Sequence, residues 1–304
     1  FMYFDEEVVL DLRLNTLNKH VDYFVIVESS FNHKGEKREL RFNLKKYEKF
    51  EKKIIYLVYD KVPQKIESIN PKDNEDEKSR KYIFNAIDAS LSRLKMDYVD
   101  LYIIHRWDYD TPIEETMEAL HDVVKSGKAR YIGASSMFAW QLVKAQETAK
   151  KNGWTKFISM QNHLNLIYRE EEREMIPLCI NDNLAITPWS PLARGFLAGN
   201  RSKNGGGKTD RAKNDILADD YYYSKADFKV LDSIKIIAKQ ENRQPVEVAL
   251  SWLLHKKGIT APIVGPGKLE QLKTLLNSLS LKLSKKQILS LEKPYQPKNI
   301  SGHI

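Results

Sequence analysis

"YVDLYIIHRWD" occupies residues 98–108 and combines a β-strand pattern with polar residues at its carboxyl end. Residues 98–105 are rich in β-branched and aromatic side chains, which predicts a buried strand. A strand that ends for structural reasons alone would more often reach Gly, Asn, Asp or Pro than His105 and Arg106. A titratable ring at the end of a buried parallel strand is typical of active sites in α/β proteins, whereas a lone His at a strand end is more often a hydrogen-bonded structural residue.

Strands and helices alternate regularly from residue 79 onward. The patterns predict five strands, at 98–105, 129–135, 157–163, 185–191 and 260–265. They predict helices at 80–95, 111–127, about 138–151, about 170–181, 225–240, 245–257, 268–279 and 284–294. For the second of these helices, Thr111 is the expected N-cap, Pro112 the first helical residue and Gly127 the terminator. This alternation predicts parallel pairing and right-handed βαβ units.

Polar groups recur at the carboxyl ends of these strands, at 105–106, 135–136, 161–162, 190 and 265–267. Polar groups at the end of every strand favour a (β/α)8 barrel. A doubly wound sheet would concentrate such groups at one topological switch point. Three further strands are expected in the first part of the chain, at 2–4, 22–29 and 53–60, with a helix over 6–20. The predicted fold is therefore α/β and TIM-barrel-like, either incomplete with five strands or closed as a hybrid with the three N-terminal strands.

Composition sets limits on the function. The 304 residues are 42% hydrophobic and 30% charged, which is typical of a globular protein with a sizeable core. No apolar run approaches the ~18–20 residues that span a bilayer, no signal peptide is expected, and a first residue of Phe suggests that the original start is missing. The net charge of +8 is spread along the chain, so we expect anionic small ligands rather than nucleic acid or membrane as partners.

We interpret the single cysteine and two segments of biased composition as structural features rather than as functional sites. Cys179 excludes an internal disulfide, fits a reducing cytoplasm and lies in a buried-helix pattern, so we expect a packing thiol. The acidic run at 73–77 falls in a predicted linker over 64–78, and we favour a solvated charge run over a metal site. The glycine run at 204–206 has no strand before it and predicts a flexible loop.

From about residue 79 to 304, the sequence resembles the aldo-keto reductases. The resemblance rests on "DYVDLYIIHRWD" (97–108), "GKARYIGASS" (127–136), "SMQNHLNLIYREEEREMIP" (159–177), "TPWSPLARGFLAG" (187–199) and "APIVGPGKLEQL" (261–272), in that order. It implies a (β/α)8 barrel that binds NADP(H) and transfers hydride to small aldehydes and ketones. His105 matches the catalytic histidine that orients the carbonyl, and Trp189 matches the ring that stacks on the nicotinamide.

The resemblance also implies a set of cofactor-binding residues. Ser135, Gln161 and Asn162 match the side chains that hold the nicotinamide carboxamide. The loop over the pyrophosphate matches Ser190, Leu192, Arg194 and Gly195. The adenosine 2′-phosphate site matches Gly265, Gly267, Lys268 and Gln271, where a glycine-bearing turn opens a helix and offers free backbone N–H groups.

The sequence departs from the family before residue 79. The family's catalytic Tyr, Lys and Asp belong to the first three strand-loop units, and we find no sequence here that matches them. Tyr59, Asp60 and Lys61 end the third predicted strand, where we favour an ordinary polar strand end over catalytic substitution. Residues 1–63 instead resemble the start of glycosyltransferase family 17, through "LDLRLNTLNKHVDYFVIVESSFNHKGEKRELRF" (10–42). The expected organisation is a fragment over 1–63, a linker over 64–78 and a reductase domain over 79–304.

Three functions are compatible with this organisation. The first is NADP(H)-dependent carbonyl reduction. The second is a dinucleotide-binding module without catalysis, in a chain that is truncated or chimeric relative to the family. The third is a remnant of a nucleotide-sugar transferase.

Overall fold

The computed structural model describes residues 2–3, 10–11, 13–15, 18–19, 21–30, 37, 39–60, 78–201 and 221–303. The chain forms two compact units. The first comprises residues 1–99 with 266–271, and the second comprises residues 100–265 with 272–304. The predicted acidic run at 73–77, the glycine run at 204–206 and Lys61 lie outside the described residues.

The first unit contains a parallel sheet of three strands in the order β1-β2-β3. The strands are β1 (Met2–Tyr3), β2 (Phe24–Ser29) and β3 (Ile54–Tyr59). They confirm the three strands predicted near the N-terminus. A 3₁₀ helix, Leu44–Lys53, precedes β3, and helix α1 (Lys78–Leu94) follows it. Of the helix predicted over 6–20, residues 10–11 and 13–15 are helical, and residues 18–19 form a turn, so the predicted helix is too long at its C-terminal end.

A small apolar core and one buried carboxylate hold this unit together. The core consists of Leu10, Leu14, Ile26, Tyr47 and Phe50. Glu28, at the end of β2, has no solvent exposure. Its carboxylate accepts hydrogen bonds from the backbone N–H groups of Arg41 (2.6 Å) and Phe42 (2.9 Å) and from the hydroxyl of Tyr56 (2.8 Å). Glu28 thereby ties the segment before the 3₁₀ helix to the sheet.

The polar end of β3 has a structural partner. The hydroxyl of Ser30, directly after β2, donates a hydrogen bond of 2.5 Å to the carboxylate of Asp60, directly after β3. This bond links the ends of two neighbouring parallel strands, and it supports our interpretation of Asp60 as an ordinary polar strand end.

The second unit contains a sheet of four strands in the order β4-β5-β6-β7. The strands are β4 (Val99–Ile103), β5 (Ala129–Ser135), β6 (Phe157–Gln161) and β7 (Ala185–Ile186). Pairing is parallel from β5 through β7, as predicted. The helices are α2 (Ile113–Lys125), α3 (Ala139–Asn152), α4 (Met175–Asn181), α5 (Lys225–Gln240), α6 (Pro245–Leu254), α7 (Leu269–Asn277), which straddles the boundary between the two units, and α8 (Lys285–Glu292).

Two predicted strands are shorter or less regular than expected, because prolines remove backbone donors. The strand predicted over 185–191 forms a regular ladder only at Ala185–Ile186, and Pro188 and Pro191 follow. The segment 260–265 is not a regular strand. The N–H groups of Thr260 and Ile263 do donate to the carbonyls of Ile186 (2.9 Å) and Pro188 (2.8 Å), so 260–265 still lies alongside the extension of β7.

Two helix predictions also need correction. The helix predicted over 170–181 is split into a 3₁₀ turn, Glu170–Glu172, and α4. Thr111 does not cap α2, whose N-cap residue is Pro112. The hydroxyl of Thr111 instead donates to the carboxylate of Asp108 at 2.6 Å, so it is not available to the first N–H groups of the helix.

Across the described residues, the strands pair into two sheets, one of three strands and one of four. The parallel α/β class is confirmed, and closure into an eight-stranded hybrid barrel stays a prediction. None of the helices in the described ranges has the length and apolar character needed to cross a bilayer.

Gly133 allows close packing between β5 and its neighbours. A Cβ atom at Gly133 would collide with the hydroxyl of Ser159 and lie 3.2 Å from Cγ1 of Ile103. We expect Gly133→Ala to lower the free energy of unfolding by about 1–3 kcal/mol, measured by urea denaturation. Gly265→Ala is the matched control, because nothing lies within 4 Å of the added Cβ. Equal stability of the two variants would contradict this packing argument.

Candidate functional site

Two serines mark the carboxyl end of β5. Ser135 and Ser136 are both buried, and Ser136 has a positive φ of 43°. The hydroxyl of Ser135 donates to the carbonyl of Gln161 at 2.9 Å, and the backbone N–H of Ser136 donates to the same carbonyl at 3.2 Å. The structure therefore brings predicted residues Ser135 and Gln161 together at adjacent strand ends.

Asn162, directly after β6, carries an unsatisfied acceptor. Its side chain is fully buried, and its amide NH₂ donates to Oε2 of Glu171 at 3.2 Å. Its carbonyl oxygen Oδ1 has no hydrogen-bond partner in the part of the chain that the structure describes. Because an unpaired buried acceptor costs about 1–3 kcal/mol, Oδ1 is well suited to accept from a ligand N–H group.

Trp189 lies beside this group because hydrogen bonds between the chain after β7 and the chain after β6 continue past the regular ladder. The N–H of Trp189 donates to the carbonyl of Asn162 at 2.8 Å, and His163 and Trp189 form an isolated parallel bridge. The indole Nε1–H donates to the hydroxyl of Ser136 at 3.0 Å. Residues from three strand ends, β5, β6 and β7, are thus joined by direct hydrogen bonds.

His163 is the part of this site that sequence patterns did not reveal. Its ring is stacked between Tyr168 and Trp189, with centroid distances of 4.0 Å and interplanar angles of 12° and 13°. Its Nε2 lies 2.8 Å from the hydroxyl of Tyr222 and 3.3 Å from the amide nitrogen of Asn165. The one sequence signal was its position directly after Gln161 and Asn162, and that signal does not distinguish a core residue from a site residue.

Burial is the main cause that lowers the pKa of His163, to about 3, and the nearby Lys298 and His303 lower the pKa further. Lys298 is itself held by the carboxylate of Asp227 at 2.8 Å. The imidazole is therefore neutral at neutral pH, and its stack with the two larger rings contains no cation.

The C-terminal segment also packs at these strand ends, which sequence patterns did not predict. The N–H of Ser301 donates to the hydroxyl of Tyr168 at 3.0 Å. Nε2 of His303 lies 3.0 Å from the carboxylate of Glu171, and both side chains are buried. The segment that follows β6 is therefore in contact with residues more than 100 positions later in the chain.

The segment predicted to bind pyrophosphate adopts an unusual backbone. It lies around a 3₁₀ helix, Ala193–Ala198, that starts after Leu192 and contains a kink at Arg194 and Gly195, where φ is 53° and 91°. Ser190, before the helix, also has a positive φ of 49°. Arg201 is buried, and its guanidinium donates to the carbonyl of Arg194 at 3.0 Å. The N–H groups of Ala193 and Gly195 donate within the loop, to the carbonyls of Ser190 and Leu192 at 2.9 Å each.

His105 lies two residues after β4. Its side chain is exposed, and within the described ranges it makes no hydrogen bond or ion pair. The N–H of the preceding Ile104 donates to the carbonyl of Gly133 at 3.0 Å, which continues the pairing of β4 with β5. His105 therefore follows a strand that pairs with β5, and its predicted catalytic role stays a prediction.

The residues predicted to hold the 2′-phosphate are divided between the two units. Gly265 ends the segment that pairs with Pro188 in the second unit. In the first unit, Gly267 donates its N–H to the side-chain oxygen of Gln271 at 2.8 Å, and Lys268 is exposed just before α7.

Cys179 is a packing residue, as expected. It lies in α4 with no solvent exposure, and burial raises the pKa of its thiol to about 12. Because the thiolate is the reactive form, Cys179 is not a nucleophile at neutral pH.

Comparisons with known proteins identify the family. The model of the aldo/keto reductase family matches residues 34–295. A Schizosaccharomyces pombe protein with an aryl-alcohol dehydrogenase name is 47% identical over 226 residues, covering 74% of this chain and 63% of the relative. An aldo-keto reductase of Fusarium vanettenii is 44% identical over 228 residues, covering 74% of this chain and 60% of the relative. Versiconal hemiacetal acetate reductase of Aspergillus parasiticus is 43% identical over 222 residues, covering 73% of this chain and 64% of the relative.

The chain therefore belongs to the aldo/keto reductase family. It spans less than two thirds of the length of these three relatives. None of the three is named as a glycosyltransferase, and the resemblance of residues 1–63 to that class stays a prediction.

The depressed pKa of His163 predicts acid sensitivity. At pH above 6.5 the ring is neutral in both folded and unfolded chains, and as the pH falls from 6.5 toward 3 only the unfolded chain takes up the proton. The unfolding free energy therefore falls by up to about 1.4 kcal/mol per pH unit, or about 2 kcal/mol between pH 7 and pH 5. Urea denaturation at both pH values measures this loss. We expect His163→Phe to lose about 2 kcal/mol less than the wild type over that interval, and identical losses would contradict this assignment.

Proposed function

We propose that this protein is an NADP(H)-dependent oxidoreductase that reduces small aldehydes and ketones. The observation that carries the proposal is the convergence of Ser135, Gln161, Asn162 and Trp189 at the ends of β5, β6 and β7 through direct hydrogen bonds. An aryl-alcohol name on one relative makes an aromatic aldehyde the natural first substrate to test.

The nicotinamide end of the cofactor fits the residues present. A carboxamide offers two N–H donors and one carbonyl acceptor, and Oδ1 of Asn162 is a buried acceptor without a partner among the described residues. Gln161, half-buried beside it, is an amide that can both donate and accept. Trp189 offers a flat, half-buried ring on which a nicotinamide can stack.

The phosphate groups have candidate partners on two loops. The family resemblance assigns the diphosphate to Ser190, Leu192, Arg194 and Gly195, and Arg201 adds a buried cation beside that loop. It assigns the 2′-phosphate to Gly265, Gly267, Lys268 and Gln271, and that assignment stays a prediction.

Carbonyl reduction adds a hydride to the carbonyl carbon and a proton to the carbonyl oxygen. The nicotinamide supplies the hydride when the cofactor is bound. His105, exposed to solvent after β4, would donate a hydrogen bond to the carbonyl oxygen. The family's catalytic Tyr has no counterpart that we can identify in the sequence, so water would deliver the proton. Because a positioned general acid contributes ~10²–10⁴-fold, we expect slow turnover.

A second candidate is a dinucleotide-binding module without catalysis. Two points favour it: we identify no counterpart of the family's catalytic Tyr, Lys and Asp in the sequence, and His105 has no hydrogen-bond partner within the described ranges. The two candidates share the cofactor site and differ only in turnover.

Trp189 provides a direct test of the shared cofactor site. We expect NADPH to quench tryptophan emission in the wild-type protein and to lose most of that effect in Trp189→Leu, because the ring that stacks on nicotinamide is gone. Trp154→Leu is the matched control, since Trp154 is also half-buried but lies after α3. Equal quenching in both variants would contradict the placement of the nicotinamide, and UDP-sugar binding in place of NADPH would overturn the proposed function.

Turnover separates the two candidate functions. We expect consumption of NADPH in the presence of an aromatic aldehyde, and we expect His105→Ala to lower kcat by about 10²-fold through loss of one hydrogen bond to the developing alkoxide. His255→Ala is a control on a second exposed histidine, at the end of α6. NADPH binding without any turnover would favour the binding module, and turnover unchanged in His105→Ala would exclude the assigned role.

A further inference from the structure

The ring of Trp189 is fixed on three sides. One face lies on His163, with centroids 4.0 Å apart and planes 13° apart. The indole Nε1–H is bound to the hydroxyl of Ser136 at 3.0 Å. The benzo edge faces Gly302, where an added Cβ would lie 3.2 Å from Cζ2 and 3.6 Å from Cη2 of the indole. These contacts leave the indole little freedom to rotate.

The two faces of Trp189 differ. His163 covers one face, and no second aromatic ring stacks on Trp189 anywhere in the described ranges. The side chain is half-buried, so part of the ring remains accessible. A planar ligand can therefore stack only on the face opposite His163.

His163 is itself held rigidly. Its ring is 1% exposed and stacks on Tyr168 at 4.0 Å and 12°. Nε2 of His163 lies 2.8 Å from the hydroxyl of Tyr222, a hydrogen bond whose donor depends on the imidazole tautomer. Stacking fixes the plane of the imidazole, and this hydrogen bond fixes its rotation within that plane.

We propose that His163 is a positioning residue for the nicotinamide end of the cofactor: it sets the plane of Trp189, and Trp189 presents its opposite face to the nicotinamide ring. This inference rests on the NADP(H)-dependent function proposed above. His163 itself touches neither the cofactor nor the substrate in this arrangement, because Trp189 lies between them.

The chemistry of the side chain explains why histidine suits this position. A phenyl ring would stack on both neighbours but could not form the hydrogen bond with Tyr222. A leucine would fill much of the volume but would leave Trp189 without a flat support. The stack is also neutral at neutral pH, so an uncharged imidazole needs no counter-ion in this buried place.

The test compares two ligands that share the adenosine half of the cofactor. NADPH carries the nicotinamide, whereas adenosine 2′,5′-bisphosphate lacks it. We expect His163→Leu to weaken NADPH binding about tenfold, which corresponds to about 1.4 kcal/mol, and to leave the affinity for the bisphosphate unchanged. Both affinities are measured by calorimetric titration. His163→Phe keeps a flat ring, so we expect it to retain at least a third of the wild-type NADPH affinity.

Controls separate a positioning role from general loss of structure. His121, half-buried in α2 and hydrogen-bonded to Thr155, is the matched histidine, and we expect His121→Leu to change neither affinity. We expect the near-ultraviolet circular dichroism of His163→Leu to differ from the wild type without cofactor, because Trp189 has lost its support. If His163→Leu does not fold, the comparison of His163→Phe with His163→Tyr decides, since Tyr adds a hydroxyl against Tyr222 and should lower NADPH affinity more.

The possible results separate failure of this inference from failure of the proposed function. Equal weakening of both ligands in His163→Leu would overturn the positioning role in favour of a general structural one. Unchanged NADPH affinity in a folded His163→Leu would also overturn it. A wild-type protein that binds the bisphosphate but not NADPH, or neither ligand, would overturn the proposed function and this inference with it.

Discussion

The candidate site depends on one continuation of pairing, the hydrogen bond of 2.8 Å from the N–H of Trp189 to the carbonyl of Asn162. The regular ladder between β6 and β7 covers two residue pairs, and its hydrogen bonds continue beyond it, from the N–H of Thr187 to the carbonyl of Met160 at 3.0 Å and then from Trp189 to Asn162. Pro188 lies between these two donors and faces the other neighbour, where its carbonyl accepts from the N–H of Ile263 at 2.8 Å. The continued pairing holds Trp189 beside the end of β6, where the indole contacts Ser136 and His163. The chemistry of the site is thus a consequence of backbone pairing beyond the regular strands.

The polar atoms at these strand ends are mostly paired with one another, which makes the exceptions informative. Ser135 and Ser136 share the carbonyl of Gln161, Asn162 donates to Glu171, and Glu171 also lies 3.0 Å from His303. Oδ1 of Asn162 lacks a partner among the described residues. Nδ1 of His303, in the same network, also lacks a partner among the described residues. A buried network with a free acceptor is preorganised for a donor, because little side-chain entropy is lost when the ligand binds.

Sequence patterns predicted the parts of the fold that local periodicity determines. The strand at 129–135 and the helix at 225–240 have the expected bounds, since both combine a clear apolar repeat with a distinct start. Sequence patterns failed where tertiary contacts or missing backbone N–H donors determine the structure. Residues 260–265 look like a strand, but Pro262 breaks its donor series. The His163 stack was not predictable, because it requires Tyr168, Trp189 and Tyr222 to meet from three distant segments.

Binding of the nicotinamide end of NADPH at Trp189 can be tested with a single type of spectrum. The protein has five tryptophans, so its nitrogen–proton NMR spectrum contains five indole signals, which single substitutions assign. Addition of NADPH should shift the indole signal of Trp189 strongly and leave those of Trp154 and Trp252 in place. Saturable NADPH binding that leaves the Trp189 signal unchanged would contradict this placement of the nicotinamide.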